Sequence, residues 1–515
     1  MPAPRTLREV STASVGVALL LTGLSQPASA LQQIQLKLPM LQTSLTVKLK
    51  ELTSTSKLFD GNSDLAELDR ATNGAIGSKL VDLFNAPLPL QTKAVVNQAA
   101  GSPMLSQALL LLSSIGGIDG LPANLNDQKI SLALETAAAK GPLTMLTVLQ
   151  SLPGQTASVD LSRALLAVQR LANQQKPADT LLAAVPPASV DPALSKPGPL
   201  TVQRRETQIP VFYRSEPLKL VVISPIQGAN GRLVLISHGL WDSPASFEGW
   251  GRHLASHGYT VLLPYHPGSD QSQQQAMFSG KVPPPGPAEL RLRPLDISAL
   301  IDAAAAAKLG LPPGLRTDGV VVLGQSWGAT TALQLAGVRP SSTLLQKRCA
   351  DLTDPSRNLS WVLQCTFVAS ADKAALGDPR VKAVVAVSPF TSLLFDAGSA
   401  QGVTARVLMV SGSRDWVVPS NPEAIVPMAF EARRVGGGHR LVLAKGGDHF
   451  NLGAQYEEGG GPLGALLLAW TNGAFAAGAA AAPAPGAPSL LPPNGWGNAT
   501  YPLADVSGQL PALVP

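Results

Sequence analysis

A serine between two glycines follows an apolar, strand-like run past the middle of the chain. The run covers residues 320–323, and Gly324, Gln325, Ser326, Trp327 and Gly328 come directly after it. The two glycines suit a turn that is too tight for side chains, and the helical pattern of the next residues supplies a helix N-terminus that favours negative charge. The pattern predicts a nucleophile elbow that holds the Ser326 hydroxyl above a sheet edge. The same motif also occurs in ordinary glycine turns with a surface serine, so its weight depends on its partners.

A serine hydroxyl is a weak nucleophile until a base takes its proton, and the chain has six histidines. His449 follows the strand-like run 440–443, which places it at the carboxyl ends of the strands, where the elbow is expected. His439 lies at the opposite end of that run, and His253 and His257 belong to a helical segment. We therefore predict that His449 is the general base.

Two carboxylates could orient that base. Asp415 comes shortly after the run 406–410, whereas Asp396 follows the earlier run 381–387. The chain order of Ser326, Asp415 and His449 is one that serine-histidine-aspartate triads use. We favour Asp415, which would hold the imidazole in the required tautomer, and keep Asp396 as the alternative.

An oxyanion hole needs two backbone N–H groups that point at the same oxygen. The residue after the nucleophile, Trp327, would supply one of them. The loop 237–242 follows the run 232–236 and contains His238, Gly239 and Leu240. Gly239 allows close approach of the backbone, so we predict the Leu240 amide as the second donor. His238 is expected to hold this loop and not to act as a base.

Composition limits the class of protein. The chain has 515 residues, 45% of them hydrophobic and only 14% charged, and its net charge of +5 is not gathered into a basic block. A nucleic-acid surface is therefore not expected. Cysteine and histidine show no metal-ligand spacing, and the proposed chemistry needs no metal or organic cofactor.

The N-terminus is typical of an export signal. Arg5 and Arg8 precede an apolar stretch at 15–24, and Ala28 and Ala30 provide small residues for cleavage. We predict a signal peptide at residues 1–30 and a mature protein in the periplasm or outside the cell.

The two cysteines, Cys349 and Cys365, lie close together in the sequence. In an exported protein such a pair predicts a disulfide, and two buried free thiols are the alternative.

The domain organisation follows from changes in pattern. Apolar residues at helical spacing predict a small all-α domain over residues 31–173, and frequent prolines predict a linker at 174–200. Strand-like and helical runs then alternate through 201–475, which predicts an α/β domain with a mostly parallel sheet and helices on both faces. Residues 476–515 have a biased composition and are predicted to be a largely irregular tail.

Three segments of the α/β domain resemble a known group of enzymes. They read SHGLWDSPASF at 237–247, ASHGY at 255–259 and HPGSD at 266–270. Together with the elbow, they look like the predicted dienelactone hydrolase and platelet-activating-factor acetylhydrolase-like group of α/β-hydrolases. The cysteine-containing insert and the front domain resemble exported cyanobacterial members of that group.

The resemblance implies an α/β-hydrolase fold and a serine esterase or lipase-like activity. It also implies that the insert 340–377 forms a lid or a wall of the acyl pocket, with a surface decoration as the alternative. Dienelactone hydrolases use a cysteine nucleophile, so Ser326 speaks against lactone chemistry. Acetylhydrolases of the group draw their acid from the earlier strand in some cases, which keeps Asp396 open.

The expected substrate is a small-molecule or lipid ester, including phospholipid acyl esters. A peptidase or amidase with the same triad, and a binding protein on an inactive scaffold, are the alternatives. A peripheral contact with a membrane or the cell envelope stays open, and the oligomeric state is not predicted.

Overall fold

The computed structural model describes residues 30–38, 43–87, 98–99, 101–116, 127–351, 354–434, 437–478 and 482–512. The predicted signal peptide falls almost entirely outside these residues. None of the helices in the described ranges is both long and apolar enough to cross a lipid bilayer.

The strands, in chain order, are β1 (Gln33–Leu38), β2 (Thr43–Lys48), β3 (Thr156–Asp160), β4 (Val202–Ile209), β5 (Leu218–Pro225), β6 (Arg232–Ser237), β7 (Thr260–Pro264), β8 (Arg316–Gln325), β9 (Val381–Val387), β10 (Arg406–Gly412), β11 (Arg440–Ala444) and β12 (Leu503–Asp505).

The α-helices are α1 (Thr55–Phe59), α2 (Asp64–Ala71), α3 (Ala75–Asn85), α4 (Pro103–Gly116), α5 (Asp127–Lys140), α6 (Met145–Leu149), α7 (Leu161–Ala184), α8 (Pro192–Ser195), α9 (Glu248–Ser256), α10 (Gln271–Phe278), α11 (Glu289–Ala305), α12 (Trp327–Leu335), α13 (Thr343–Arg348), α14 (Trp361–Gln364), α15 (Ser420–Glu423), α16 (Ile425–Arg434) and α17 (Gly464–Ala477). Short 3-10 helices include Pro244–Phe247, Cys365–Phe367 and Ser507–Ala512.

The chain divides into two compact units. The smaller comprises Met1–Leu88, Gly117–Leu125 and Lys129–Leu161, and the larger comprises Pro89–Gly116, Asn126–Gln128 and Ser162–Pro515.

The smaller unit contains a three-stranded sheet in the order β2-β1-β3, so the prediction of an all-α domain at 31–173 is wrong. Strand β1 pairs antiparallel with β2 and parallel with β3. In β1, Ile34, Leu36 and Leu38 alternate with polar residues, a period of two that favours a strand over a helix. Leu52 and Leu58 lie fully buried in the core beside this sheet.

The larger unit is built on a nine-stranded sheet in the order β12-β11-β10-β9-β8-β6-β7-β5-β4. Neighbouring strands are parallel from β7 through β6, β8, β9 and β10 to β11, and antiparallel pairs complete both edges. One core lies between the sheet and α11, α12 and α16, and the other between the sheet and α9 and α17. The predicted, mostly parallel α/β sheet with helices on both faces is confirmed.

Two segments predicted to lie outside the domain are parts of it. Helix α7 continues to Ala184 through Pro177, so residues 174–184 of the predicted linker 174–200 are helical. Proline costs the helix one hydrogen bond, but Ala178 and Leu181 are buried in the core of the larger unit, and their packing offsets that cost.

The predicted irregular tail, 476–515, contributes the edge strand β12, which pairs antiparallel with β11. Leu491, Trp496 and Leu510 are buried. The alanine- and proline-rich composition at 482–488 led to the prediction of an irregular tail, although apolar residues follow it.

Burial of His253 on α9 makes the stability of the fold depend on pH. Its Nε2 bonds the carbonyl of Leu194 at 2.9 Å, while its Nδ1 is buried and has no partner among the described residues. Burial, with a smaller contribution from the nearby His257, lowers the pKa of His253 to about 4. The ring is therefore neutral in the folded protein at neutral pH.

We expect His253→Gln to flatten the acid dependence of stability. Between pH 6.5 and about 4, the unfolded chain protonates His253 and the folded protein does not. The contribution of the neutral His253 to the free energy of unfolding is therefore complete above pH 6.5 and is lost as the pH falls toward 4. The slope is at most about 1.4 kcal/mol per pH unit. Urea unfolding of wild type and variant at pH 7, 6 and 5 measures it.

His257→Gln is the matched control, because that ring is only half-buried and should change the slope less. Parallel curves for wild type and His253→Gln would contradict a neutral, buried His253.

Candidate active site

The turn between β8 and α12 has the geometry that its two glycines predict. Ser326 lies in this turn with φ 53° and ψ −118°, a conformation that is strained for a residue with a side chain. A Cβ on Gly324 would overlap the backbone of Gly328, and a Cβ on Gly328 would overlap the carbonyl of Ser237. Only glycine fits at either position, so the sequence motif here reflects close backbone packing.

His449 and Asp415 come from the loops after β11 and β10, and the structure brings them together. Nδ1 of His449 lies 2.9 Å from Oδ2 of Asp415, which is completely buried. The other carboxylate oxygen accepts the amides of Val417 and Val418 at 3.0 and 2.7 Å. These bonds fix the carboxylate, and the carboxylate in turn fixes the orientation of the imidazole.

Ser326 and His449 line the same cavity. Their loops are joined by Gln325, whose side-chain amide donates to the carbonyl of His449 at 2.9 Å. No hydrogen bond links the Ser326 hydroxyl to the imidazole in the described part of the chain. A longer contact between nucleophile and base is common in unliganded sites, where it shortens when substrate binds.

Asp396, the alternative acid, lies elsewhere. Its carboxylate accepts the amide of Gly398 at 2.9 Å and the hydroxyl of Ser399 at 3.2 Å, so it closes a local turn. Burial raises the pKa of Asp396, but hydrogen bonds from Ser341, Gly398 and Ser399 outweigh that effect and leave it lowered. It lines a second cavity, of about 400 Å³, and not the one that holds Ser326.

The two predicted oxyanion donors are Trp327, which follows Ser326 in the chain, and Leu240, in the loop that touches the elbow. A Cβ on Gly239 would lie 3.3 Å from the Ser326 Cβ and 2.6 Å from the Gln325 side-chain oxygen, so the loop after β6 touches the elbow. Within the described residues, the amides of Leu240 and Trp327 donate no hydrogen bond. Neither N–H group is therefore committed to an acceptor within the described residues.

His238 holds the loop and is unsuited to be a base. Its Nδ1 donates to the carbonyl of Gly239 at 2.8 Å, and its Nε2 accepts the amide of His266. Burial, followed by the charge of Arg293 and by His266, lowers the pKa of His238 well below its usual value. The ring is neutral and inaccessible, so its role is to shape the loop.

The cavity over Ser326 is large and mostly apolar, with a volume of about 1100 Å³. Its walls come from the 237–247 loop, from α4 and from the insert 340–377. Wall residues of α4 and the insert are Met104, Ala108, Leu111, Leu359, Val362 and Leu363. The aromatic side chains of Trp416 and Phe450 stand at the rim, with 49% and 72% of their surfaces exposed.

The insert is held in two ways. The predicted Cys349–Cys365 disulfide is present. The buried carboxylate of Glu423 accepts hydrogen bonds from Asn358, Ser360 and Gln364 of the insert, and from the residues after β9. Sequence reasoning missed Glu423, since a lone glutamate in a short helix carries no signal of burial.

Comparison with known proteins agrees with this architecture. Residues 232–353 match the family model described as alpha/beta hydrolase fold. The chain has the alpha/beta hydrolase fold. None of the curated proteins compared with the chain matches it. The match supports a hydrolase and a small-molecule substrate, and it covers the elbow, the 237–247 loop and the start of the insert.

We expect Gly328→Ala to prevent the alpha/beta hydrolase fold of the larger unit from forming correctly, because the new methyl would overlap the carbonyl of Ser237. Soluble yield and thermal unfolding measure the effect, with a loss of at least about 3 kcal/mol. Gly286→Ala is the matched control, since a Cβ there would meet nothing within 4 Å. Equal stability of the two variants would show that the turn is not closely packed.

Proposed function

We propose that the protein is an exported serine hydrolase that cleaves carboxylic esters with a long apolar group. The observation that carries the proposal is the strained Ser326 in one apolar cavity with His449, whose other ring nitrogen lies 2.9 Å from Asp415. This arrangement contains a nucleophile, a base and an orienting acid in the roles that serine hydrolases need.

The proposed reaction has two halves. Ser326 Oγ attacks the ester carbonyl while Nε2 of His449 takes its proton, and the amides of Leu240 and Trp327 stabilise the tetrahedral oxyanion. His449 then gives the proton to the departing alcohol, which leaves an acyl-enzyme. Water, deprotonated by His449, attacks this ester and releases the carboxylic acid and free Ser326.

The shape of the cavity favours an apolar substrate. A volume of about 1100 Å³ exceeds what a short acyl group needs, and side chains such as Leu359, Leu363 and Phe390 make its walls hydrophobic. Each buried methylene contributes about 0.8 kcal/mol to binding, so activity should rise with chain length until the cavity is full. Esters of long-chain alcohols or fatty acids, including lipids, fit this description.

Export is part of the proposal. The Cys349–Cys365 disulfide is consistent with an oxidising compartment, where such bonds persist. The signal-like sequence at residues 1–30 supports the same localisation.

A panel of p-nitrophenyl esters from acetate to palmitate, beside matched anilides, tests the reaction. We expect kcat/KM to increase with chain length for the esters, to stay far lower for the anilides, and to fall at least about 10⁴-fold in Ser326→Ala. A fluorophosphonate should label wild type and not Ser326→Ala. Preference for the anilides would indicate an amidase, and no turnover with no labelling would indicate a binding protein.

Replacement of each candidate acid by asparagine in turn distinguishes their roles. Asp415→Asn should lower kcat by about 10⁴-fold, because the amide favours the wrong imidazole tautomer. Asp396→Asn should leave kcat within about twofold, because Asp396 contacts its own turn and lines another cavity. The reverse pattern in ester turnover would assign the acid to Asp396.

A further inference from the structure

Arg293, on α11, is completely buried beneath the 237–247 loop. Its guanidinium donates to the carbonyl of His238 at 2.7 Å, to the carbonyl of Gly239 at 2.9 Å and to the hydroxyl of Ser269 at 2.9 Å. All three acceptors are neutral oxygens. The side chain thus binds the main chain of the loop directly, at the residues just before Leu240.

The bond to Gly239 determines where the next amide points. The Gly239 carbonyl and the Leu240 N–H belong to one peptide group, which is trans, so they point in opposite directions. Arg293 and His238 both donate to this carbonyl, at 2.9 and 2.8 Å. Because they hold the carbonyl on the buried side, the Leu240 N–H is turned away from Arg293.

Arg293 also contacts the second donor residue. Its guanidinium carbon lies 4.6 Å from the centre of the Trp327 indole, which is itself fully buried. Stacking of this kind is favourable and restricts both groups. One side chain therefore touches the residues that precede the Leu240 amide and the residue that carries the other amide.

Among the described residues, no carboxylate forms an ion pair with Arg293. Glu289 and Asp296 lie nearby, but their ion pairs are with Arg214, at 2.7 and 2.6 Å. Burial lowers the pKa of Arg293 to about 9, so it is still charged at neutral pH. A charged donor polarises the peptide group that it binds, which makes the N–H of that group a stronger donor.

We propose that Arg293 is a positioning residue that orients both amides of the oxyanion hole, through the Gly239 carbonyl and the Trp327 indole. The inference rests on the proposed function, because it assigns a role within the reaction at Ser326. Arg293 acts behind the loop and does not touch the substrate.

Arg293→Lys tests the inference, since lysine keeps the charge but cannot donate to two carbonyls and stack at once. We expect kcat on the best ester to fall about 100-fold, the scale of one lost oxyanion donor, with KM within about threefold. Affinity for an alkyl boronic acid, which forms a tetrahedral adduct on serine, should fall by a similar factor. Affinity for an unreactive ether of the same chain length should not change.

Arg406→Lys is the matched control. Arg406 is equally buried and donates to backbone carbonyls of Gly438 and Pro488, but it lines no part of the Ser326 cavity. The Arg406→Lys variant should lose stability and keep the kcat and the boronate affinity of wild type. If Arg293→Lys keeps kcat within threefold, or loses ether and boronate binding equally, the inference is wrong.

Ser269→Ala provides a milder variant should Arg293→Lys not fold. It removes one acceptor of the guanidinium and leaves the loop sequence intact. We expect kcat and boronate affinity to fall by about three- to tenfold together, while ether affinity is kept; no change in kcat would overturn the inference. Absence of turnover and of Ser326 labelling in wild type would instead overturn the proposed function.

Discussion

The close approach of two backbone segments is the constraint on which the site depends. The end of β6 lies so near the start of α12 that Gly328 can carry no side chain against the Ser237 carbonyl. The adjacent strands β6 and β8 are in register at Ser237 and Gly324, so the loop after β6 and the elbow leave the sheet side by side. The amide of Ser326 donates a hydrogen bond to the carbonyl of Val387 of β9, on the other side of β8, and this bond helps to hold the strained φ of Ser326.

Beneath this contact lies a group of buried polar residues that resembles an active site but is closed. Ser237 Oγ lies 2.9 Å from Nε2 of His266, and Nδ1 of His266 lies 2.8 Å from Asp296. All three residues are completely buried, and burial, followed by the charges of Arg293 and Arg214, lowers the pKa of His266 well below its usual value. Hydrogen-bond geometry alone would select this chain of residues over Ser326 and His449. Access to a cavity separates the two, so the buried set is a support for the loop.

The insert shows how a decoration of the fold becomes part of the cavity. The disulfide joins the ends of the segment from α13 to α14. The buried carboxylate of Glu423 accepts hydrogen bonds from polar side chains of the insert. A buried carboxylate is costly unless its oxygens are well supplied with donors, and here several neutral donors surround it. The apolar side chains of α14 are thereby held over the cavity, beside α4. The substrate preference that we propose depends on this wall.

What the sequence alone determined is local or periodic. The glycines around Ser326, the alternation of strands and helices in the larger unit, and the cysteine pair each leave a pattern because short-range geometry demands particular residues. His449 and Asp415 could be predicted as partners because parallel strands end at one edge. Only the tertiary structure decided what depends on contacts between distant segments: the sheet in the smaller unit, the strand contributed by the tail, the burial of Glu423 and the contacts of Arg293. Glu423 and Arg293 leave no spacing signal, because a buried charge is defined by neighbours that lie far away along the chain.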